Sequence, residues 1–369
     1  MTEAVLPASR SLFQLALMRM RRNRAAMASL ALFGMIVLFC IAGPFVAPHS
    51  HAQIFQAYVA VPPSLTPYPK GDTLRAIMAG AAAQAHVELT AFEAGSSGFT
   101  ATVTSTKPID PRVIRYVDRA EAFDDTHVAA TRDEGRTLDL AGQLRGERFF
   151  FGTDNNGRDL MVRVMVGGQI SLLVGLLASL VSLVIGVLYG ATSGFIGGRT
   201  DNVMMRFLEI LYSLPFVFLV IMLVVFFGRN FVLIFAAIGA IEWLEMARIV
   251  RGQTLSLKRR EFVTAAHAMG LGDWAVIRRH IIPNTIGQVV VFITVRVPRV
   301  MLLESFLSYL GLGVSEPLTS WGVLIAEGTN VMQSAPWQLA FPALFFVGTL
   351  FCLNFIGDGL RDAFDPKDR

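Results

Sequence analysis

The chain has 369 residues, of which 53% are hydrophobic and only 16% are charged, and its formal net charge is +4. A soluble protein has roughly a quarter of its residues charged, so this composition excludes an ordinary soluble domain and predicts a polytopic membrane protein. The basic residues flank apolar segments and do not gather with aromatic residues on a polar domain, which argues against nucleic acid as a partner.

The first apolar segment, residues 27–47, is long enough to cross a bilayer as a helix. Residues 1–26 are predicted to be cytoplasmic, because four arginines precede the segment and basic residues favour the inner side of a membrane. A cleaved signal peptide is the alternative, but the polar leader and the apolar run are both long for one. These arginines are Arg19, Arg21, Arg22 and Arg24.

Residues 48–158 have the composition of a soluble segment and are predicted to lie outside the membrane. Periodic apolar positions predict a helix over 72–85, and the stretches HVELTAFE and GFTATVTS predict two strands around a Gly-Ser turn. Asp110 followed by Pro111 predicts a further helix that runs towards Phe123. We therefore expect a small α+β module inserted after the first span.

Residues 159–369 are predicted to form a core of five further membrane helices, which makes six spans and leaves both termini in the cytoplasm. Arginines and lysines concentrate beside the segments that this topology places inside. The predicted spans of the core are 170–191, 210–227, 231–246, 286–312 and 339–356.

A cytoplasmic hairpin of two short helices is predicted over residues 258–284. Gly270 and Gly272 are expected to adopt positive φ at the turn, Asp273 to cap the second helix, and Pro283 to end it. One shallow apolar stripe is predicted on the first helix, since its members recur at helical spacing. This stripe either packs back on the protein's own spans or docks into a partner. Its members are Phe262, Ala265, Ala266 and Met269.

The hairpin resembles the cytoplasmic "EAA" loop of binding-protein-dependent ABC importer permeases, through Glu261, Ala265, Ala266, Gly270 and Pro283. Further stretches in the same order resemble the dipeptide/oligopeptide permease family. They are FGTDNNGRDL (151–160), RFLEILYSLP (206–215), ESFLSYLGLGV (304–314), SWG (320–322), APW (335–337) and NFIGDGLRDAFDP (354–366).

This resemblance implies an all-α membrane protein of six transmembrane helices with the type I ABC importer (MetI-like) permease fold, in the bacterial inner membrane. It also implies a second homologous permease subunit, two cytoplasmic ATPase subunits, an extracytoplasmic solute-binding protein and a peptide-type substrate, with lipid around the spans. The hairpin would be the helix that couples the chain to the ATPase. Glu261, Ala265, Ala266 and Gly270 would lie at the centre of that contact.

The chain contains no phosphate-binding loop of the G-x-x-x-x-G-K-S/T type and no arrangement of residues that suggests catalysis. We therefore predict a transport subunit that is not an enzyme and depends on other chains for ATP. An ion-driven secondary transporter, or a membrane sensor with a ligand-binding outer module, are the alternatives. Cys40 and Cys352 lie in apolar runs, and His49 and His51 lack further ligands, so no cofactor or metal is predicted.

Arg296 and Arg299 fall near the middle of the fifth predicted span, where a charge costs about 3 kcal/mol or more. One hypothesis is that, with Glu304, they line the translocation path and attract anionic groups such as a peptide carboxylate. The second is a structural ion pair with Glu304 or with an acid of the partner permease, and the third is that the span is misplaced and the arginines do not lie at its middle. Glu245 is separately expected to pair with Arg248 three residues later.

The inserted segment is longer than the first outer loop usual in the resembled family. It is expected to help dock the binding protein, to contact the partner permease or to cover the path, or else to be a tolerated surface insertion. The sequence does not select one peptide-like solute over another.

Overall fold

The computed structural model describes residues 18–95, 98–120, 122–228 and 231–364. The chain divides into two compact units. We call the first the helical unit, which comprises Met1–Val46, Val164–Asn330 and Leu339–Arg369. We call the second the sheet unit, which comprises Ala47–Arg163 and Val331–Gln338.

The helices of the described residues are numbered in chain order. They are α1 (Arg24–Val46), α2 (Gly71–Gln84), α3 (Ile114–Asp118), α4 (Leu160–Ile196), α5 (Gly198–Ser213), α6 (Phe216–Phe227), α7 (Phe231–Leu257), α8 (Glu261–Ala268), α9 (Asp273–Val276), α10 (Ile282–Tyr309), α11 (Trp321–Asn330) and α12 (Trp337–Phe364).

Within the described residues, four helical stretches are long and apolar enough to cross a membrane. Three of them are α1, α4 and α12, and the fourth runs without a break from Asp273 to Tyr309 through α9 and α10. The bent pair of α5 and α6 is a fifth candidate if it forms one span. The chain is therefore a polytopic, largely helical membrane protein. Helix α7 does not meet the same criterion, since charged residues interrupt its apolar sequence.

The span predicted over 210–227 is not one continuous helix. Helix α5 ends at Ser213, α6 begins at Phe216, and the chain bends by 76° between them. Pro215 explains the break, because proline lacks an N–H and disfavours helical geometry at the residue before it. Helix α6 alone has 12 residues, or about 18 Å at the helical rise, which is shorter than the hydrocarbon core of a bilayer.

The expectation that Pro283 ends the second hairpin helix is also wrong. A π-type turn, Ile277–Ile281, leads from α9 directly into α10, and Pro283 lies in the first turn of α10. A π turn moves the hydrogen-bond acceptor by one residue, so the chain accommodates the missing N–H of proline without stopping. The second half of the hairpin is therefore continuous with a membrane helix.

The sheet unit contains a four-stranded antiparallel sheet of order β1-β2-β4-β3. Its strands are β1 (Glu88–Ala94), β2 (Gly98–Thr104), β3 (Phe123–Arg132) and β4 (Thr137–Leu144). Alternate residues such as Phe99, Val103, Leu138 and Leu140 form a core with the buried faces of α2 and α3. The two strands expected from the sequence are present as β1 and β2, and residues 96–97 of the turn between them lie outside the described residues.

The helix expected to run from Pro111 towards Phe123 is shorter than predicted. A 3₁₀ turn at Pro111–Val113 precedes α3, which ends at Asp118. The side chain of Asp110 accepts a hydrogen bond of 2.9 Å from the amide of Arg112, which fixes the start as expected for an N-terminal cap. Strand β3 then begins at Phe123 and pairs with β4.

Candidate functional site

Helix α8 presents two different faces. Val263 and Ala266 are buried in a cluster with residues of α4 and α7, including Ala191 and Val250. Ala265 lies on the exposed face. The inner face of the hairpin therefore packs on the protein's own helices, while an outer face stays open.

The expected four-residue stripe is thus divided between these faces. Ala266 belongs to the inner face, whereas Phe262 and Met269 are 36% and 72% exposed. Glu261 is exposed at the first position of α8. The spacing of the stripe was correct for a helix, but Val263 and Ala266 determine which side is buried.

The turn after α8 depends on Gly270, whose φ of +86° is the left-handed conformation that glycine adopts without strain. Gly272 has a φ of −71°, so the expectation of a second positive φ is wrong. Gly272 occupies the cap position and Asp273 is the first residue of α9, so the expectation that Asp273 caps this helix is wrong. Trp274, 57% exposed, extends the apolar part of the outer face.

The helices beneath the hairpin are held together by close packing and by charges. Gly190 of α4 lies so near α7 that an added Cβ would overlap the carbonyl oxygen of Ala247. Arg251 of α7 donates two hydrogen bonds of 2.6 Å to the carboxylate of Asp201 in α5. The ammonium of Lys258 donates to the carbonyl of Phe195 in the last turn of α4. A movement of the hairpin would therefore be transmitted to α4, α5 and α7 together.

Four charged side chains meet between α7 and α10. Nη1 of Arg296 lies 2.7 Å from Oε2 of Glu242, and its other terminal nitrogen bonds to Glu245. Arg299 contacts the same Glu245 at 3.2 Å. Two acids on α7 and two arginines on α10, each pair three residues apart, thus form a cluster with no formal net charge. Such pairing lowers the cost of keeping charges in a membrane span.

The four charged side chains of this cluster differ in their exposure. The side chains of Arg296 and Glu242 are 10% and 7% exposed, but those of Arg299 and Glu245 are 58% and 26% exposed. A cavity of about 450 Å³ opens beside the cluster, and its remaining lining is mainly apolar. It is lined by Leu211, Tyr212, Leu214, Ile241, Glu242, Glu245, Arg296, Arg299, Leu302, Leu303 and Phe306.

The expected pair of Glu245 with Arg248 and the alternative pair of Glu304 with the arginines are not formed. Arg248 does not bond Glu245, and its guanidinium lies 4.7 Å from the ring centre of Tyr212. Glu304 does not reach the arginines, because it is buried elsewhere and accepts hydrogen bonds from Ser308 at 2.8 Å and Ser320 at 2.7 Å. The acids that do bind the arginines lie more than fifty positions away along the chain, where local spacing gives no signal.

In the sheet unit, a buried histidine joins two carboxylates. Nδ1 of His49 lies 2.7 Å from Asp159, and Nε2 lies 3.0 Å from Glu147. The hydrogen bond to Asp159 is the main reason why the pKa of His49 is raised above its usual value, and burial opposes it. Asp159 of the FGTDNNGRDL stretch thus connects this stretch to His49, near the first residue of the sheet unit.

Comparison with known proteins gives two family matches. Residues 159–369 match the model described as binding-protein-dependent transport system inner membrane component. Residues 11–69 match the N-terminal TM domain of oligopeptide transport permease C.

Individual relatives agree with these matches. The chain is 62% identical over 220 residues to the oligopeptide transport system permease protein OppC of Escherichia coli, covering 60% of this chain and 73% of that protein. The corresponding protein of Haemophilus influenzae is 60% identical over 220 residues, which are 60% of this chain and 71% of its own. The dipeptide transport system permease protein DppC of Lactococcus lactis is 34% identical over 374 residues, covering 99% of this chain and 94% of that protein.

Proposed function

This chain belongs to the family of binding-protein-dependent transport system inner membrane components, and from that membership we propose that it moves short peptides through the inner membrane. It is a multi-pass permease subunit of an ABC importer. The peptide substrate is proposed because relatives across most or all of its length are named oligopeptide and dipeptide permeases.

We propose that two cytoplasmic ATPase subunits drive this transport, and that one of them receives the outer face of α8. The carrying observation is that Phe262, Ala265 and Met269 stay exposed while Val263 and Ala266 anchor the helix on α4 and α7. A short helix with an open apolar face and a firmly packed inner face can transmit a push from a partner's cleft to the spans. Glu261, Gly270 and Pro283 would respectively begin this contact, shape its turn and join it to α10.

A second homologous permease subunit would complete the path, and an extracytoplasmic solute-binding protein would deliver the peptide. Six spans are proposed, with both termini in the cytoplasm: α1, α4, the bent pair of α5 and α6, α7, α10 and α12. The cluster supports the inclusion of α7, because Arg296 and Arg299 together neutralise its two acids. The sheet unit would then lie on the outer side.

The cavity beside Arg299 supports a place for the translocation path along α7 and α10. Arg296 is occupied by two glutamates, so Arg299 is the guanidinium available to a substrate carboxylate. This changes the hypothesis drawn from the sequence, in which both arginines act alike and Glu304 joins them. Glu304 is instead proposed to hold α10 against the segment before α11 through its serine contacts.

Co-purification and reconstitution test the proposal. The chain should purify with a second permease and two ATPase subunits, and the complex in proteoliposomes should take up peptide only with ATP and the binding protein. Uptake by this chain alone, driven by an ion gradient without ATP, would identify a secondary transporter and contradict the proposal.

A further inference from the structure

The sheet unit contains a cleft that the proposed transport path does not use. It has a volume of about 530 Å³ and lies between α2, α3 and the 3₁₀ turn Gln56–Tyr58. Ile77, Gly80 and Ala81 line it from one face of α2, since these positions are three and four residues apart. Tyr116 and Arg119 line the opposite wall from α3 and the residue that follows it.

Small residues on α2 leave open space between the two walls of the cleft. A Cβ added at Gly80 would meet no atom within 4 Å, so the space beside it is open. Ala81 is almost fully buried, with 4% exposure, and forms part of the floor. A small, partly apolar cleft with a few polar groups at its rim has the general composition of a small-molecule site.

The polar groups at the rim of the cleft can all donate hydrogen bonds. Arg119 supplies the charge, and Gln56, Gln84 and Tyr116 add amide and phenol groups. Among the described residues, none of these four side chains makes a hydrogen bond or an ion pair within the protein, and no carboxylate lines the cleft. The lining therefore has one positive charge and a set of donors that face solvent.

We propose that this cleft binds a small ligand with a free carboxylate, such as the C-terminal residue of a short peptide. The planar guanidinium of Arg119 matches a carboxylate through two parallel hydrogen bonds. The apolar part of the ligand would lie on Ile77, Gly80 and Ala81, which removes apolar surface from water. The site would give the sheet unit a binding role of its own, separate from the cluster on α7 and α10.

The test measures equilibrium binding of N-acetyl-trialanine to the full chain in lipid nanodiscs. The same peptide with a C-terminal amide and inorganic phosphate are the comparison ligands. Arg119→Gln should weaken binding of the acid at least tenfold, and Gly80→Leu, which fills the cleft at an open helical position, should do the same. Arg115→Gln, an exposed arginine of the same helix outside the cleft, is the matched control and should bind as the unchanged protein does.

The proposal is overturned if the acid and its amide bind equally, or if phosphate binds as tightly as the acid. It is also overturned if the Arg119 and Gly80 variants, with melting temperatures of the unchanged protein, bind the acid as the Arg115 control does.

Discussion

The two arginines of the membrane cluster are expected to respond very differently to removal. Arg296→Gln leaves Glu242, whose side chain is 7% exposed, without its cation, and also removes one cation from Glu245. Breaking a buried pair from one side costs about 3–5 kcal/mol, because a buried charge stays uncompensated. Arg299→Gln removes a guanidinium that is 58% exposed, and such a contact contributes only about 0–1 kcal/mol.

The measurement is the thermal or denaturant stability of the purified chain in detergent or nanodiscs. We expect a clear loss of stability for Arg296→Gln and nearly none for Arg299→Gln. The triple variant Arg296→Met, Glu242→Leu, Glu245→Leu should recover much of the loss, because well-packed hydrophobic side chains of similar volume often replace a buried ion pair without cost.

In a transport assay, Arg299 is expected to matter more directly than it does for stability. Arg299→Gln should fold normally and reduce uptake of peptides with a free C-terminal carboxylate more than uptake of their amides. Equal stability of the two single variants would refute the division of roles, and so would a failure of the triple variant to recover stability.

Three further predictions follow from the hairpin and from the two polar networks. The Gly270→Val variant should insert into the membrane and assemble, but its ATP hydrolysis should no longer be coupled to uptake. A β-branched residue costs roughly 1–2 kcal/mol or more at the positive φ of this position, so the turn of the hairpin should change shape. Tight coupling of hydrolysis to uptake in this variant would contradict the prediction. Asp201→Asn should weaken its bond to Arg251 and lower stability by about 1–3 kcal/mol, whereas Arg206→Gln, in an exposed pair on the same helix, should change little. His49 has a raised pKa through Asp159, so its contribution to stability should be full below pH 6.5 and be lost as the pH rises through the folded-state value. Melting curves of His49→Gln against the unchanged protein should therefore converge at high pH, and a difference that grows with pH would refute this.

Apolar runs predicted most of the long helices because burial in lipid requires a continuous apolar stretch, and α1, α4 and α12 lie at those runs, although α4 and α12 are longer than predicted. Prolines were less informative. Pro215 interrupts its segment and Pro283 does not, and the difference depends on the π-type turn that precedes Pro283. A local rule for proline cannot foresee that compensation.

The sheet was only half predictable. Strands β1 and β2 carry a clear turn and alternation, but β3 and β4 were missed. In β4 the alternation of Leu138 and Leu140 with polar residues was present and could have identified the strand. Most of β3 is exposed and carries several charges, so its pairing is set by β4 and not by its own sequence.

The site shows the same division between local and long-range information. Helical spacing identified Phe262, Ala265, Ala266 and Met269 as neighbours, yet only packing on α4 and α7 decides that Ala266 faces inwards. The sequence predicts that Arg296 needs an ionic partner, because an unpaired charge in lipid is costly. Its partners on α7 were not, because contacts between distant segments leave no periodic signal in one sequence.

The central claim is that the outer face of α8 receives an ATPase subunit, and cross-linking tests it most directly. In a background with Cys40 and Cys352 changed to serine, Ala265→Cys and Ala266→Cys differ by one position and by which face they occupy. After reconstitution with the ATPase subunits, a short thiol cross-linker should join Ala265→Cys to an engineered cysteine in the ATPase cleft and leave Ala266→Cys unlinked. Absence of a link from position 265, or equal links from both positions, would contradict the account.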